Sequence, residues 1–332
     1  MVLTRSCPRC GIPVTGEVDC CPLDGTPLAD NATAVAEAPV ATCACGQPRD
    51  GGDGICEECG TPIRVPLPPA RRVIVGGAEL AVVTDIGKRH PVNQDAATAL
   101  VFSGDDPARI FVVCDGISSC HASDQAAQLA AETARDYLRD ALQAGPILVD
   151  ALAEAVSHAH AAICARDFGP AEPGKDPPGT TIVVGVIRGS RVYLSWVGDS
   201  RAYWLGESGG ERLTRDHSWA EELIASGVAP EEAYRGPNGH ALTHCLGPVE
   251  VMEGDRAPEP AGKVFDLPGA GWLLLCSDGL WNYAPAVDDL QGLLAGLPDD
   301  ALARSERLVA YALERGGRDN ITVALTRLSP GG

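Results

Sequence analysis

The feature that most constrains this chain is an apolar run that ends in a single carboxylate. Residues 109–116 are Arg-Ile-Phe-Val-Val-Cys-Asp-Gly, and a run of β-branched and aromatic residues closed by a turn signal predicts a buried strand. An isolated charge is costly to bury, because the protein interior solvates it poorly. We therefore expect Asp115 to meet water, a hydrogen-bond donor or a cation.

Two further aspartates occupy the same kind of position. Asp278 follows the apolar run 272–276, and Asp319 comes shortly before the apolar run 321–325. A single Asp-Gly pair is more often a tight turn, but Asp115 and Asp278 end strands rather than joining two strands in a hairpin. Strands that each deliver an aspartate to one end predict an oxygen-ligand site for hard cations.

The composition of the 332-residue chain narrows its possible partners. Acidic residues outnumber basic ones by 45 to 26, and this net charge of −19 argues against binding to nucleic-acid phosphates or anionic membranes. Apolar runs such as 182–187 are too short to span a bilayer, and no apolar leader is visible at the start. Eight of the 13 cysteines precede residue 60, a distribution that fits a reducing cytosol, so we expect a cytoplasmic protein.

An internal repeat with a period of 35 residues occupies residues 1–65. Residues 10–13 match 45–48, and residues 21–28 match 56–63. Each copy carries two short clusters of candidate metal ligands. It is too small to bury a hydrophobic core, so it needs a cross-link or a bound metal to be stable. In a reducing compartment, zinc bound by thiolates usually has this role. This half resembles the double zinc ribbon modules found at the ends of many prokaryotic proteins.

The two copies offer unequal ligand sets for structural Zn²⁺. The second copy provides four thiolates: Cys43, Cys45, Cys56 and Cys59. The first provides three, with an aspartate where the repeat predicts the fourth: Cys7, Cys10, Cys21 and Asp24. Either Asp24 ligates zinc through oxygen or the neighbouring Cys20 takes its place; redox thiols or a disordered tail are alternative interpretations of the segment. Closed four-ligand sites are structural, which predicts a role in folding and docking.

The pattern of residues divides the chain into a double zinc ribbon (1–65), a stiff proline-rich linker (66–78) and a larger domain (79–328) in which strands and helices alternate. Strands are predicted at 80–84, along the run 109–116 as far as its aspartate, at 180–187, 192–196, 202–205 and 271–276, and from 320 onward. Helices are predicted from an N-cap pair at Ser123 and Asp124, at 149–167, from a cap at 216–218 to 224, at 286–296 and at 299–315. Segment 228–248 is predicted to be an irregular, mobile flap.

Eight short motifs follow one another along the larger domain. They lie at residues 84–87 with 93–95, 113–116, 179–181, 198–201, 213–218, 242–247, 276–280 and 317–323. Taken together and in this order, they resemble the motifs of the metal-dependent protein phosphatases of type 2C. The resemblance spans residues 79–328, essentially the whole of the larger domain.

This resemblance implies an α+β fold, a four-layer αββα sandwich in which two antiparallel sheets are flanked by helices. It also implies two Mn²⁺ or Mg²⁺ ions at one end of the sheets. By position, Asp115 would bridge both ions. Asp278 and Asp319 would complete the coordination of one ion, and the carbonyl oxygen of Gly116 would complete that of the other.

The resemblance assigns roles to other positions and also shows departures. Asp95 is implied to hold metal-bound waters, and Asp199 is the position implied for a weaker third metal. Where the family usually has glutamate this chain has Gln94, and where it often has an arginine for the substrate phosphate this chain has His90. Either the adjacent Arg89 shifts in, or His90 donates when it is protonated.

Other polar residues of the motifs have a structural interpretation. His217 is expected to be a hydrogen-bonding cap or flap residue rather than a base, and Thr180 and Thr181 are expected in a strand core. Arg201 fits a structural ion pair and a substrate contact equally well.

The expected function is that of a protein serine/threonine phosphatase, which hydrolyses phosphoserine and phosphothreonine monoesters by attack of a metal-bridging hydroxide. Two ions about 3.5–4 Å apart can share a water, lower its pKa and neutralise a dianion whose uncatalysed hydrolysis is extremely slow. Implied partners are phosphorylated proteins, serine/threonine kinases among them. Two alternatives stay open: a catalytically weak phosphoprotein-binding or scaffold protein, favoured by Gln94 and His90, and a two-metal hydrolase of nucleotides or phosphodiesters.

Overall fold

Two β-sheets organise most of the chain in a computed structural model of the protein. It describes residues 4–6, 13–15, 71–75, 77–102, 107–145, 150–207, 209–236, 238–248 and 258–329. The chain divides into two compact units, Met1–Ala70 and Arg71–Gly332. No helix in the described ranges is both long enough and apolar enough to cross a bilayer.

The described part of the first unit is a single antiparallel pair of strands, β1 (Thr4–Ser6) and β2 (Pro13–Thr15). Along the sequence, Cys7 and Cys10 lie between these strands. The residues predicted to bind zinc all fall outside the described ranges, so the zinc ribbons remain a prediction.

The second unit contains two antiparallel sheets. In chain order, its described strands are β3 (Arg71–Val75), β4 (Leu80–Asp85), β5 (Asp95–Phe102), β6 (Ala108–Asp115), β7 (Ile182–Arg188), β8 (Arg191–Val197), β9 (Arg201–Gly206), β10 (Gly209–Arg212), β11 (Ala261–Asp266), β12 (Gly271–Cys276) and β13 (Ile321–Leu328). One sheet has the order β10-β9-β12-β13-β4-β3, and the other has the order β11-β8-β7-β6-β5. Strands β12 and β13 pack on β5 and β6, so the sheets lie face to face.

Helices cover the outer faces of both sheets. In chain order, the described α-helices are α1 (Ser123–Ala144), α2 (Asp150–Ala165), α3 (Trp219–Ala225), α4 (Pro230–Arg235), α5 (Asp278–Trp281), α6 (Val287–Leu294) and α7 (Ala301–Glu314). An alanine-rich face of α1 and α2 packs on alternate residues of β6, namely Ile110, Val112 and Cys114. Helices α5, α6 and α7 pack on β12 and β13 in a second core. Small side chains on α1 allow a close approach of helix to sheet, which completes the predicted four layers.

Three local predictions are wrong. Residues Arg71–Val75, assigned to the linker, form an edge strand, because the β-branched run 73–75 pairs with β4. The predicted N-cap pair at Ser123 and Asp124 lies inside α1, whose cap is Ala122 in the left-handed conformation (φ 48°) without a side-chain hydrogen bond. The segment predicted to be irregular contains α4, which begins at Pro230, a residue whose fixed φ suits the first helical position.

Candidate metal centre

Strand register brings the predicted metal-binding aspartates to one end of both sheets. Asp95 at the start of β5 pairs with Asp115 at the end of β6. The end of β12 pairs with the starts of β9 and β13, so Asp278, which follows β12, lies at the same end as Asp319. Asp199 occupies the turn that joins β8 to β9 at this end. The topology therefore gathers carboxylates that are up to 224 residues apart in the sequence (319 − 95).

A cleft of about 420 Å³ opens at this end of the sandwich. Its lining residues are Asp115, Gly116, Ile117, Ser118, Ser119, Asp176, Thr181, Asp199, His240, Ala241, Leu242, Asp278 and Asp319. The cleft thus contains four of the five predicted metal-site aspartates. Asp95, Arg89 and His90 lie outside this lining.

The carboxylates of the cleft disfavour one another's ionisation. Burial, together with the charges of Asp95 and Asp278, raises the pKa of Asp115 well above its ordinary value. Burial and the charges of Asp199 and Asp319 do the same to the pKa of Asp278. Burial and neighbouring Asp216 raise the pKa of Asp199 to about 7. Without compensating positive charge, these carboxyl groups therefore keep their protons to a higher pH than free aspartates do.

Asp95 is anchored beneath the cleft. Its Oδ2 accepts hydrogen bonds from Ser277 Oγ (2.7 Å) and Thr322 Oγ1 (2.6 Å). Burial raises the pKa of Asp95 to about 7 even though these hydrogen bonds favour its ionised form. Among the described residues, its other oxygen, Oδ1, is buried without a hydrogen-bond partner, and so is Oδ1 of Asp278.

These features fit a pair of hard divalent cations. Carboxylate and carbonyl oxygens are the donors that Mn²⁺ and Mg²⁺ prefer, and buried oxygens without partners are costly unless something binds them. Within the described ranges, however, no three acidic, histidine or cysteine side chains already stand close enough together to hold one ion. The assignment of individual ligands is therefore a proposal, and the donor chemistry supports it.

Gly116 is fixed by close contact with the neighbouring backbone. Its N–H donates to the Gln94 carbonyl oxygen (3.2 Å), and a Cβ at this position would lie 2.6 Å from the carbonyl oxygens of Gln94 and Ser123. A side chain would therefore displace backbone, which explains the glycine after Asp115.

The structure shows the surroundings of Gln94, His90 and Arg89, the residues at which this chain departs from the type 2C motifs or compensates for the departure. The Gln94 side chain donates to Ser123 Oγ and accepts from Ser118 Oγ (3.0 Å), so it links the loop before β5 to the loop after β6. His90 Nε2 lies 3.3 Å from Asp319 Oδ1. Arg89 is exposed and has no hydrogen-bond or ion-pair partner within the described ranges.

Asn320 organises the site although sequence reasoning gave it no role of its own. Its Oδ1 accepts from Gln94 N–H (2.7 Å), while its Nδ2 donates to the carbonyl oxygens of Ile86 (2.8 Å) and Val92 (3.2 Å). It thereby shapes the loop 86–94. The only local signal was its position between Asp319 and a buried strand.

The other polar residues of the motifs make structural contacts. Arg201 forms a buried ion pair with Asp216 (2.7 Å), which makes it a structural residue. His217 Nδ1 accepts from Gly198 N–H (3.2 Å), and burial followed by the charge of His244 lowers the pKa of His217 to about 4, as expected of a residue that is not a base. Thr181 is buried as predicted but lies just before β7 and not within the strand, and its Oγ1 accepts from Asp115 N–H (3.2 Å).

Sequence reasoning also missed two residues that line the cleft, Asp176 and His240. Both lie in loops rich in glycine and proline, where hydrophobic periodicity gives no information. Only the long-range packing of these loops brings them to the site.

Comparisons with known proteins agree on one family. Residues 87–297 match the family model described as Protein phosphatase 2C. The serine/threonine phosphatase stp of Listeria welshimeri is 30% identical over 247 residues, which cover 73% of this chain and 92% of that protein.

Solved structures share the fold. The crystal structure of the Mycobacterium tuberculosis serine/threonine phosphatase PstP/Ppp has a TM-score of 0.62 at 27% identity and covers 78% of this chain and 99% of that one. The catalytic domain of PstP in complex with two manganese ions has a TM-score of 0.59 at 25% identity, with the same coverage. These likenesses confirm the predicted pair of antiparallel sheets with flanking helices.

Proposed function

This chain belongs to the protein phosphatase 2C family and is a metal-dependent protein serine/threonine phosphatase, and from that premise we propose which of its residues carry the reaction. Asp115, Asp278, Asp319 and the Gly116 carbonyl oxygen would hold two Mn²⁺ or Mg²⁺ ions in the cleft, and Asp199 would hold a weaker third ion. The observation that carries this proposal is the set of buried carboxylates that raise one another's pKa at one end of the sheets.

The chain's own residues prepare the site for a phosphomonoester. When bound, two such ions neutralise the phosphate and lower the pKa of a water molecule between them. Asp95 orders waters next to the ions, because Ser277 and Thr322 hold one of its oxygens and leave the other unpartnered. The three carboxylates of Asp115, Asp278 and Asp319 carry one negative charge fewer than is needed to cancel two divalent ions, so these ligands alone would not neutralise the ions.

Two residues outside the cleft are proposed to serve the substrate phosphate. Arg89 is exposed and without a partner within the described ranges, so its guanidinium is available to a phosphate oxygen. His90 contacts Asp319 and can donate to the phosphate from the same loop.

Phosphate release tests the reaction class directly. We expect the purified full chain with Mn²⁺ to release inorganic phosphate from phosphothreonine and phosphoserine peptides, and to stop in excess EDTA. Phosphodiesters and nucleotides should react far more slowly, because the site neutralises a dianionic monoester. Tight phosphopeptide binding without turnover at saturating Mn²⁺ would instead identify a scaffold protein, and turnover in EDTA would exclude the metal mechanism.

The N-terminal segment is proposed to be a double zinc ribbon that docks phosphorylated proteins, serine/threonine kinases among them. The repeat of cysteine knuckles supports it, and so does the strand pair β1–β2, which brackets Cys7 and Cys10 along the sequence. The net charge of −19 disfavours nucleic acid and anionic membranes as partners. Cysteine usage supports a cytoplasmic protein.

Zinc content tests the ribbons. Two tetrahedral sites predict about two zinc ions per chain, measured by mass spectrometry of the purified protein. A double replacement, Cys56→Ser with Cys59→Ser, should remove one of them, because a tetrahedral site does not persist with two ligands missing. Cys164→Ser, at an exposed cysteine on α2, is the matched control and should leave the zinc content unchanged. Protein without zinc, or with equal zinc in both variants, would contradict the proposal.

A further inference from the structure

The cleft contains one basic side chain among the described residues that line it. Five aspartates surround the space, and His240 is the only lysine, arginine or histidine of that lining. It reaches the cleft from the turn that follows α4, and its side chain is exposed. The proposed metal and phosphate residues do not include it.

Aromatic rings hold the imidazole of His240 in place. It stacks on Trp281 of α5 with ring centroids 6.5 Å apart and an interplanar angle of 22°. It also packs against Tyr234 of α4, with centroids 5.7 Å apart. Helix α5 begins at Asp278, so the imidazole rests on the same short helix that begins with a proposed metal ligand.

A buried ion pair fixes those two rings in turn. The guanidinium carbon of Arg201 lies 3.6 Å from the centroid of the Trp281 ring, and Arg201 Nη2 donates to Tyr234 Oη (3.3 Å). Arg201 and its partner Asp216 are almost completely buried. The position of the imidazole is therefore tied to the core of the sandwich.

The backbone of the turn is also closed on itself. A Cβ at Gly239 would lie 2.6 Å from the Tyr234 carbonyl oxygen, so the chain folds back tightly onto α4. Beyond His240, the Ala241 carbonyl oxygen accepts from Trp219 N–H (2.9 Å), which attaches the turn to the start of α3. The backbone on both sides of His240 is therefore fixed, which suits this residue to a defined role in the cleft.

Phosphomonoester hydrolysis makes one chemical demand that the other residues lining the cleft do not meet. Serine and threonine side chains leave phosphorus as alkoxides. The pKa of the corresponding alcohol is far above neutral pH, so a proton must reach the leaving oxygen. Ionised aspartates only accept, and the hydroxyls of Ser118, Ser119 and Thr181 are weak acids. Histidine is the side chain that exchanges a proton most readily near neutral pH.

We propose that His240 is the proton donor to the leaving serine or threonine oxygen, an inference that rests on the phosphatase function proposed above. Water forms the new bond to phosphorus while the bond from phosphorus to the side-chain oxygen breaks, and the electron pair stays on that oxygen. The imidazolium of His240 transfers its proton there and is reprotonated by the proton that the attacking water loses. The products are the free hydroxyl amino acid and inorganic phosphate.

Comparison of leaving groups tests this role. In His240→Gln we expect kcat for a phosphothreonine peptide to fall about 100-fold, a value typical of one general acid. The fall for p-nitrophenyl phosphate should be at least about 10-fold smaller, because its phenolate leaves without a proton donor. In His240→Ala, added imidazole should restore part of the peptide activity. His158→Gln, at an exposed histidine on α2, is the matched control and should keep wild-type rates.

Three outcomes would overturn the inference. Equal losses on both substrates would mean that His240 serves the site rather than the leaving group. A rise in KM for the peptide with kcat unchanged would make it a binding residue. No loss at all would remove it from the reaction. If the wild-type protein hydrolyses neither substrate, the phosphatase function itself fails, whereas wild-type turnover with evenly affected variants defeats only the role of His240.

Discussion

Asp278→Asn is expected to lower kcat for phosphothreonine-peptide hydrolysis by roughly 1,000-fold or more, at the upper end of what the loss of one preorganised electrostatic group costs. The substitution keeps the shape of the side chain and can keep the hydrogen bond from Asn282 Nδ2, which now reaches Asp278 Oδ2 at 3.1 Å. It removes one negative charge from the set that is proposed to hold two divalent ions. The loss should therefore arise from weaker metal binding, and not from misfolding.

Two measurements besides activity distinguish these causes. Calorimetric titration with Mn²⁺ should show weaker binding by Asp278→Asn than by the wild type. The metal-free variant should unfold at a higher temperature than the metal-free wild type near neutral pH, because a carboxylate whose pKa is raised by burial and by other aspartates is destabilising when ionised.

The matched control is Asp288→Asn, which removes the same charge from an exposed position in the first turn of α6. It should leave turnover and Mn²⁺ affinity unchanged. The metal assignment would be wrong if Asp278→Asn retained wild-type turnover, or if it lost activity while binding Mn²⁺ as tightly as before.

The strands that carry the aspartates could be predicted because their apolar runs are continuous. The strand predicted at 271–276 matches β12, and the run 109–116, predicted to be a strand that ends at its aspartate, contains β6 from the second residue of that strand to Asp115. A strand that is buried on both faces does not alternate between apolar and polar residues. A continuous apolar run is therefore enough to identify it. The ends of these strands then located Asp115 and Asp278 at one edge.

Strands with weaker local signals were missed. β11 at the sheet edge alternates between half-buried and exposed residues, and β10 contains two glycines in four residues. β5 contains three alanines in its eight residues and has little intrinsic strand preference. Its place depends on pairing with β6, a long-range contact that no local pattern encodes.

The polar network around the site was also beyond sequence reasoning. The replacement of glutamate by Gln94 suggested only a lost negative charge. In the fold, this amide joins Ser118 to Ser123, two partners that a carboxylate could not serve in the same way, since Gln94 both donates and accepts. Gln94 thus lacks the negative charge of a glutamate but cross-links two loops. None of the proposed metal-binding aspartates is replaced.

The same repulsion makes a prediction about the stability of the metal-free protein. Asp95 and Asp199 have an ordinary pKa of 3.8 that the fold raises to about 7, and the pKa values of Asp115 and Asp278 are raised as well. The folded state therefore binds more protons than the unfolded state. The stability that this provides is complete below the ordinary pKa and is lost as pH rises through about 7.

The test must avoid the titration of the half-buried histidines His160 and His217, whose lowered pKa values act in the opposite direction. Burial lowers the pKa of His217 to about 4, so its protonation favours unfolding below its ordinary pKa of 6.5. Above that value the histidine is neutral in both states. Buried cysteines such as Cys114 and Cys276, whose pKa burial raises above the ordinary 9.0, would add to the trend at higher pH. A window from about pH 6.5 to about pH 8 therefore reports on the aspartates, and the free energy of unfolding of the EDTA-treated protein should fall across it by on the order of 1–3 kcal/mol.

Divalent ions should reverse this trend. They bind the ionised carboxylates of the folded state, so they stabilise it more as protons leave the site. Thermal unfolding in EDTA should show a melting temperature lower by several degrees at the upper end of the window, and saturating Mn²⁺ should remove or invert the difference. Asp199→Asn should flatten the EDTA profile, and Asp288→Asn should not. A metal-free protein that grows more stable across this window would mean that the carboxylates are not crowded at one site, and the proposed metal centre would lose its physical basis.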